Sequence, residues 1–314
     1  MTILPNKNGG EDGTAVRIAN AVAAQAGLPV VPITVINNFT FNDELANVTE
    51  AIILDFCELG WDWDYKKSGT HFFGVNTENF PMFQSDEWQK FDKWVSNLSK
   101  KIYFKRELLV GDKPKYVYPI DYPCWYIVPE VEPISEFNKR PIDIFFFWGR
   151  SHEGRLQLHS DIWSGAIKFG YSVCDNIHYF EGFLNNESGR KLASMNIPHY
   201  CREDISTIFA IQQHAKISIA YPGAGFKTFR ATGESIFNSI VAMPENNFVH
   251  SFPFIDGINC FKWDADEPVL ERLLSCAETE QNYLYDIYKN GNRLAKRYQI
   301  DNYIKDYIIP IVAK

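Results

Sequence analysis

A segment of sequence YPGAGFKTFRATGE carries the residues best suited to bind an anion. Gly223 and Gly225 follow an apolar run and allow a tight turn that exposes backbone N–H groups. Lys227 and Arg230 come next, at the start of a predicted helix, where backbone donors and basic side chains bind phosphate or diphosphate. Glu234, on the same helical face as Arg230, is placed to accept hydrogen bonds from a ribose. A glycine-rich turn with a surface ion pair explains the same spacing, and the segment matches neither a dinucleotide fingerprint nor a Walker loop.

A second basic, glycine-containing loop follows the apolar run IDIFFFWG at 142–149. It holds Gly149, Arg150 and Arg155, and a helix is predicted directly after it. An anion at the carboxyl end of a parallel sheet suits such a loop, although an ordinary connection with solvated arginines has the same composition. Because two such loops occur in one half of the chain, they could converge on the same diphosphate, which favours the binding interpretation.

A dense group of carboxylates, aromatic rings and one histidine follows the apolar run AIILDF at 51–56. The acid–base candidates in it are Asp55, Glu58, Asp62, Asp64 and His71, and the aromatic candidates are Trp61, Trp63 and Tyr65. Sugars pack on tryptophan and tyrosine rings, and one of these carboxylates or His71 could be the base that deprotonates an attacking hydroxyl. A helix cap, solvated aspartates and buried tryptophans are the alternatives for the individual residues.

Helical and strand patterns alternate in the first half of the chain. A helix is predicted over 12–26, where apolar residues repeat with helical spacing and Gly27 ends the repeat. Strands are predicted over 28–36, 51–56 and 102–108, with a helix that begins at Ser85 before the last of them. Alternation of this kind indicates an α/β fold with a parallel sheet.

The same alternation resumes in the second half, after prolines interrupt the chain between about 110 and 141. Strands are predicted over 142–149, 171–174 and 216–221, with helices near 154–169, 203–214 and 228–240. A long amphipathic run at 270–298 follows with a 3.6-residue period. The sequence therefore predicts two α/β halves joined by a proline-rich linker, with a ligand in the cleft between them.

Composition and charge narrow the class of protein. The chain of 314 residues is 46% apolar and 22% charged, as in an ordinary globular protein, and its 8 Trp, 16 Tyr and 24 Phe suit stacking surfaces for sugars or bases. A net charge of -8 gives no global basic surface for nucleic acid, although a local basic groove would be compatible with it. The six cysteines show no CxxC pair, the polar start MTILPNKNGGEDG lacks the apolar region typical of a signal peptide, and no stretch approaches 18 unbroken apolar residues. These features predict a cytoplasmic protein without a membrane span.

The two basic segments and the long amphipathic run resemble the donor-binding half of GT-B glycosyltransferases. The likeness is greatest to exostosin-like and fucosyltransferase-like members, whose G-x-K-T-x-R-x-x-E stretch meets a nucleotide-sugar. Carried over to this sequence, it implies that Arg150, Lys227 and Arg230 bind the diphosphate and that Glu234 binds the ribose.

The resemblance also implies a domain organisation, with two Rossmann-like domains facing a cleft. The implied segments are an acceptor-side domain at 1–128, the linker at 129–141, a donor-binding domain at 142–298 and a C-terminal segment at 299–314. The last segment would cross back and pack on the first domain. Its apolar contacts would be made by Tyr303, Tyr307, Ile308 and Ile311.

The implied activity is transfer of a hexose or similar sugar from a UDP- or GDP-sugar to a hydroxyl, with inversion. Because basic residues replace a metal in such enzymes, the Asp-x-Asp pattern at Asp62 and Asp64 is not assigned a cation, and no cofactor is expected. A glycan or lipid-linked saccharide is the expected acceptor, ahead of a hydroxymethylated DNA base as in phage enzymes. A non-catalytic nucleotide- or sugar-binding protein and a phosphorylase of similar architecture are the alternatives.

Overall fold

The protein divides into two compact units in the computed structural model, which describes residues 1–5, 14–31, 47–55, 95–106, 108, 110, 115–146, 173–175, 211–220, 238–245, 248–263 and 280–314. Unit 1 comprises Met1–Tyr122, Asn247–Pro253 and Ile300–Lys314. Unit 2 comprises Pro123–Asn246 and Phe254–Gln299. Each unit contains one sheet, and every pairing between the described strands is parallel. The α/β class predicted from the sequence is confirmed.

Unit 1 has a sheet of four strands in the order β1-β2-β3-β4. The strands are β1 (Thr2–Pro5), β2 (Glu50–Asp55), β3 (Lys100–Lys105) and β4 (Val117–Pro119). A parallel bridge from Ile3 to Val30 adds residues 29–31 on the other side of β1, with N–H···O distances of 2.9 Å from Ile3 to Pro29 and from Val31 to Ile3. Counted in chain order, the five segments therefore have the order 2-1-3-4-5 across the sheet.

Helix α1 (Thr14–Ala26) connects β1 to this bridging segment. Ala15, Ile18 and Val22 lie on its buried face, as the sequence periodicity predicts. Gly27 ends the helix with a φ of 67°, a conformation that costs a residue with a side chain, and its N–H donates to the Ala23 carbonyl at 2.8 Å. Apolar side chains from all four strands and from residues 95–108 complete the core of the unit.

Unit 2 begins with a short helix and continues into a sheet of five strands in the order β6-β5-β7-β8-β9. Helix α2 (Ile134–Asn138) precedes the strands β5 (Ile142–Phe146), β6 (Val173–Asp175), β7 (Ala215–Ile219), β8 (Ile240–Pro244) and β9 (Phe261–Trp263). In chain order this is again 2-1-3-4-5. All residues of β8 are buried, and in β5 and β7 only the second residue is partly exposed, as expected of central strands in a parallel sheet that helices cover on both faces.

Helix α3 (Gln281–Tyr298) packs against α2 and β8. Leu284, Ile287 and Tyr288 lie on its buried face, and the Tyr288 ring stacks on Phe137 of α2 with centroids 4.8 Å apart. Gly291 permits a close approach to the turn at 255–260, since a Cβ atom there would lie 3.0 Å from the Asn259 carbonyl oxygen. These contacts fix α3 on the sheet of unit 2.

The C-terminal residues form a broken helical segment in unit 1. Helix α4 (Ile300–Tyr303) is followed by a π-helical turn (Ile304–Ile308) and by α5 (Ile309–Val312). The π-helical turn contacts α1. Tyr303, Ile304 and Ile308 are fully buried.

The structure corrects two of the predicted elements and contains four strands that were not predicted: β1, β4, β8 and β9. The helix predicted near 228–240 does not include its last residues, because Asn238 has a φ of 64° and β8 begins at Ile240. The amphipathic run at 270–298 is not one helix, since the backbone of Glu280 is extended and α3 begins at Gln281. Strand β9, of three residues, was not predicted at all.

The segment at 129–141 belongs to unit 2. It contains α2, whose Phe137 is buried, and Arg140 is buried just before β5. The Pro129 carbonyl accepts a hydrogen bond from Asn292 of α3 at 2.9 Å. The prolines interrupt the helical and strand periodicity of the sequence, yet their segment still packs against its neighbours.

Candidate functional site

The winding of unit 2 reverses between β5 and β7. From β5 the chain passes to β6 on one side and then returns to β7 on the other side. Parallel sheets bind their ligands at the carboxyl ends of the strands, at the point where the winding reverses, because the loops there diverge and leave a crevice. The strand order therefore places the candidate ligand site of unit 2 at the carboxyl ends of β5 and β7.

Both basic segments predicted from the sequence leave the sheet at this point. The pairing register sets Phe146, the last residue of β5, opposite Ile219, the last residue of β7. The donor-binding candidates follow these strands and lie outside the described residues: Gly149, Arg150, Arg155, Gly223, Gly225, Lys227, Arg230 and Glu234. The structure brings together the strand ends from which the two segments start.

The opposite, amino edge of the same sheet is held by a buried arginine. The Nη1 atom of Arg140 donates to the carbonyls of Ala215 and Asn238, each at 2.5 Å, and Nε donates to Glu132 Oε1 at 2.6 Å. The guanidinium lies beside the stacked rings of Phe137 and Tyr288, at 5.0 and 4.9 Å from their centroids. One side chain thus joins the starts of β5 and β7 to the residues before β8.

Burial and this positive charge perturb the neighbouring titratable groups. Burial, assisted by the Arg140 guanidinium, lowers the pKa of His214. Burial raises the pKa of Tyr288, whose hydroxyl donates to Asn238 Oδ1 at 2.5 Å. Both side chains are neutral at pH 7, so we assign the polar groups at the amino edge a structural role and not an acid–base role.

Unit 1 has its own reversal of winding, between β1 and β2. The bridging residues 29–31 lie on one side of β1 and β2 lies on the other. The register aligns Asp55 with Lys105 and Lys105 with Pro119, so β2, β3 and β4 end together at one edge. The backbone of Asp55, the last residue of β2, lies at this edge. The other members of the acidic, aromatic segment lie outside the described residues: Glu58, Trp61, Asp62, Trp63, Asp64, Tyr65 and His71.

A buried acid–base pair at the carboxyl edge of unit 1 is absent from the sequence prediction. His250 Nδ1 lies 2.9 Å from Asp121 Oδ1, and Asp121 follows β4 by two residues. Their side chains are 8% and 1% exposed, respectively. The backbone N–H of Ser251 donates to the other oxygen, Oδ2, at 2.6 Å. Since 129 positions separate the two partners, no local spacing could have revealed the pair.

Among the described residues, no group of three His, Cys, Asp or Glu side chains is arranged to hold a metal ion. Over the same part of the chain, no helix combines the length and apolar character that crossing a membrane requires.

No family model and no characterised protein matches the sequence. Solved structures align with this chain at low identity and with TM-scores below 0.5. An alpha-glucosyltransferase in complex with UDP and a 13-mer DNA containing a central A:G mismatch is 13% identical, with a TM-score of 0.45 and coverage of 100% of this chain and 99% of that chain. A glycosyltransferase from Rickettsia africae ESF-5 is 11% identical, with a TM-score of 0.47 and coverages of 99% and 97%. The GtfA/B complex is 9% identical, with a TM-score of 0.42 and coverages of 84% and 52%. Two of these three structures are glycosyltransferases by name, and none of them assigns a role to a residue of this chain.

Proposed function

We propose that this chain is a glycosyltransferase that moves a sugar from a UDP- or GDP-sugar to a hydroxyl acceptor. The observation that carries the proposal is that both basic, glycine-containing segments follow neighbouring strands, β5 and β7, at the winding reversal of unit 2. A nucleoside diphosphate binds where backbone donors and cations meet at such a point. In addition, the acidic, aromatic segment follows β2 at the winding reversal of unit 1.

In the proposed donor site, Arg150, Lys227 and Arg230 bind the diphosphate and Glu234 accepts hydrogen bonds from the ribose. Gly149, Gly223 and Gly225 allow the backbone to approach the phosphates. Arg155 adds positive charge at the same loop. As the bond to the sugar breaks, negative charge grows on the diphosphate, and fixed cations stabilise it there without a metal ion.

In the proposed acceptor site, the rings of Trp61, Trp63 and Tyr65 pack against a sugar acceptor. A side chain of unit 1 takes the proton of the attacking hydroxyl, and the reaction inverts the anomeric carbon. The sequence supplies Asp55, Glu58, Asp62, Asp64 and His71 as candidates for this base. A glycan or lipid-linked saccharide is the favoured acceptor, with a hydroxymethylated DNA base as the second choice.

We also propose the GT-B arrangement for the two units, with an exostosin-like or fucosyltransferase-like donor half. The strand order 2-1-3-4-5 supports it, because both units show this order of a doubly wound sheet over their described strands. The assignment of residues 300–314 to unit 1 is the path that this arrangement requires of the C-terminal segment.

The proposal is tested first by nucleotide binding. Calorimetry with UDP and GDP should detect binding of at least one of them, and Lys227→Ala and Arg230→Ala should each weaken it about ten- to hundredfold, because each removes a charge-assisted hydrogen bond to phosphate. The same substitutions should leave the affinity for the bare nucleoside almost unchanged.

Lys216→Ala is the matched control for these variants. Lys216 lies on β7 near its amino end, where it pairs with Asp143 at 2.9 Å, so the substitution removes an identical charge at the far edge of the sheet. It should leave diphosphate affinity unchanged. Equal losses for nucleoside and nucleotide, or an equal loss in the control, would remove Lys227 and Arg230 from the diphosphate site.

The ribose role of Glu234 is tested by a double-mutant cycle. Glu234→Gln should weaken a ribonucleotide donor more than its 2′-deoxy analogue, because the analogue lacks one of the hydroxyls that Glu234 would bind. The coupling between the two changes should be about 1 kcal/mol or more. Additive losses in the affinities measured by calorimetry would refute the role.

Turnover distinguishes the proposed enzyme from a binding protein of the same fold. The enzyme should release nucleoside diphosphate from a UDP- or GDP-sugar, slowly to water and faster to an acceptor. Donor binding without release in the presence of any glycan, lipid-linked saccharide or hydroxymethylated DNA would favour a non-catalytic nucleotide- or sugar-binding protein.

A further inference from the structure

The outer face of α3 is positively charged, although the chain as a whole is acidic. Residues 287–298 contain four basic side chains and no acidic one, whereas the net charge of the chain is -8. Helical spacing puts all four on the side of α3 away from its buried residues, and all are at least partly exposed. We call these side chains the basic stripe: Lys289, Arg293, Lys296 and Arg297.

Two lysines of the basic stripe pair with carboxylates at the surface. Lys289 lies 2.6 Å from Asp286, and Lys296 lies 2.6 Å from Glu130. Both carboxylates are more than half exposed, and exposed pairs of this kind contribute little to stability. The lysines can therefore exchange a carboxylate for another anion at small cost.

The helix dipole explains only part of the basic stripe. Basic residues interact favourably with the dipole in the last turn of a helix, which accounts for Lys296 and Arg297. Arg293 lies before that turn, and its guanidinium donates to the Asn290 side chain at 3.1 Å. The positive charge therefore extends further along α3 than the dipole requires.

Exposed apolar side chains are gathered around the same helix. The described part of the chain has six large apolar side chains that are exposed, and five of them lie on α3 or on segments that contact it. These five are Tyr126, Ile127, Ile255, Ile258 and Tyr283. Single exposed apolar residues are ordinary on a protein surface, whereas a group of them beside one helix indicates contact with another molecule.

The first of these segments contains Ile127 and lies along the C-terminal half of α3. The Cys124 N–H donates to the Tyr298 carbonyl at 2.7 Å, and a backbone carbonyl of the segment accepts a hydrogen bond from Asn292 at 2.9 Å. The Ile127 side chain is 81% exposed, the largest fraction among the large apolar side chains of the described residues. Because backbone groups hold the segment, this side chain is available to contact another molecule.

The second segment is the turn at 255–260, on the opposite flank of α3. The Asn290 side chain donates to the Ile258 carbonyl at 3.2 Å, and the Tyr283 hydroxyl donates to the backbone of the same turn at 2.7 Å. The side chains of Ile255 and Ile258 are exposed. The basic stripe is thus flanked on both sides by exposed isoleucines.

We propose that the basic stripe and the exposed apolar side chains beside it dock this protein on an anionic membrane surface. Each basic residue near anionic lipid headgroups strengthens binding about fivefold. Isoleucine side chains enter the boundary between headgroups and acyl chains, where tyrosine rings are also favoured. Such a contact lies on the membrane and does not span it. The inference goes beyond the proposed sugar transfer and does not rest on it.

The exposed isoleucines favour lipid over nucleic acid as the partner. Binding to a phosphate backbone depends on basic residues and polar donors, and aliphatic side chains add nothing to it. A membrane supplies both the negative charge and an apolar layer that can receive the side chains of Ile127 and Ile258.

Flotation with lipid vesicles tests the proposal on the wild-type chain. The protein should bind vesicles of phosphatidylcholine mixed with phosphatidylglycerol about tenfold or more tightly than vesicles of phosphatidylcholine alone. Added salt should weaken the binding, because ions screen exposed charges. No sugar donor is present, so the result is independent of glycosyl transfer. Equal binding to the two kinds of vesicle, or no binding to either, would overturn the proposal.

Charge variants test the basic stripe itself. Lys289→Gln and Arg293→Gln should each weaken binding to the anionic vesicles about fivefold, because each removes one positive charge. Asp286→Asn should strengthen binding, because it removes the negative charge beside Lys289. Lys100→Gln is the matched control, since Lys100 is an exposed lysine on β3 of unit 1. An equal loss in this control would mean that net charge, and not the basic stripe, governs binding.

An apolar variant separates lipid from nucleic acid. Ile127→Gln keeps the charge and should weaken vesicle binding about tenfold, because the inserted side chain leaves water on docking. Val110→Gln is its control, since Val110 is exposed in unit 1 and should not affect binding. If Ile127→Gln binds vesicles like the wild type, and the wild type binds duplex DNA through Arg293, the partner is a polyanion and the membrane assignment is wrong.

Discussion

Arg140 is the residue that most clearly links charge to stability in unit 2. Its side chain is 3% exposed, and it donates to Glu132 and to two backbone carbonyls at the starts of neighbouring strands. A guanidinium can make these bonds together because its donors point in several fixed directions. An ammonium group is a compact charge and cannot span the same three acceptors.

Arg140→Lys should therefore destabilise unit 2 although the charge is kept. We expect a loss of about 2–4 kcal/mol in the free energy of unfolding, from one or two lost charge-assisted hydrogen bonds. Urea unfolding of the variant measures it. Lys139→Ala is the control, because Lys139 is 71% exposed and pairs with Glu136 on the surface. A loss in that control equal to the loss in Arg140→Lys would refute the role of Arg140.

For individual residues, the sequence suggested candidate site residues that are recognisable from local spacing. It did not suggest the pair of His250 and Asp121, which depends on a distant contact. Lys227, Arg230 and Glu234 are recognisable because they fall on one predicted helix after a glycine-rich turn. The pairing of His250 with Asp121 joins residues 129 positions apart, and a lone histidine has no distinctive neighbours in the sequence. Only the packing of the segment 247–253 on unit 1 brings the two together.

Among the elements, strands β2 and β7 were predictable, and β8 and β9 were not. The predicted strands at 51–56 and 216–221 differ from β2 and β7 by one or two residues at their ends. Strand β8, IVAMP, directly follows a predicted helix, and an apolar run of five residues fits either structure. Strand β9 has three residues, too few to show an alternating pattern.

Two tyrosines connect the C-terminal helical segment to β4, because their hydroxyls form hydrogen bonds with backbone groups at the end of that strand. The Tyr303 hydroxyl accepts the Asp121 N–H, and the Tyr307 hydroxyl donates to the Pro119 carbonyl. The two rings stack with centroids 5.4 Å apart across the start of the π-helical turn. This spacing of four residues is the local feature that puts both hydroxyls on the end of β4.

Tyr303→Phe should destabilise unit 1 by about 1–3 kcal/mol at neutral pH, because it leaves the buried Asp121 N–H without its acceptor. Burial raises the pKa of Tyr303 well above its usual value of 10. This stabilising term is therefore fully present below about pH 10 and is lost as the pH rises towards the folded-state pKa. Urea midpoints at about pH 8 and about pH 10.5 should show the wild type losing more stability than the variant.

Tyr283→Phe is the control for this pH dependence, because Tyr283 is 45% exposed and its hydroxyl donates to Gly257 at the surface of unit 2. This substitution should change the free energy of unfolding at neutral pH by no more than about 0.5 kcal/mol. The loss of stability between about pH 8 and about pH 10.5 should equal that of the wild type. An equal alkaline loss in wild type and Tyr303→Phe would mean that another group controls the transition.

For the whole molecule, the sequence predicted two α/β halves, but the division in the structure depends on long-range packing. Unit 1 is assembled from three separate stretches of chain, and the stretch Asn247–Pro253 lies between parts of unit 2 in the sequence. Composition does not distinguish it from its neighbours. Its membership of unit 1 depends on bonds such as those from Val249 to Leu108 and from Ser251 to Asp121.

Removal of residues 300–314 should unfold unit 1 and spare unit 2. The fully buried side chains of Tyr303, Ile304 and Ile308 contribute about 1.5–3 kcal/mol each, which together approaches the whole stability of a typical domain. Scanning calorimetry of the deletion variant should no longer show the unfolding transition of unit 1. UDP or GDP should still raise the temperature of the transition of unit 2. Removal of the exposed Ala313 and Lys314 alone is the control and should change neither transition. Loss of nucleotide-induced stabilisation in the longer deletion would contradict the independence of unit 2.

The three-part construction of unit 1 also sets the order of events while the protein is being made. Domains usually fold in the order in which they leave the ribosome, from the amino terminus onwards. When the first 122 residues have been synthesised, Ser251 and Tyr303 have not. Asp121 therefore cannot yet form its hydrogen bonds to them. Unit 2 has all of its strands before residues 300–314 appear. Unit 1, whose described strands are made first, is thus the last unit to be completed, because its core still lacks the side chains of residues 300–314.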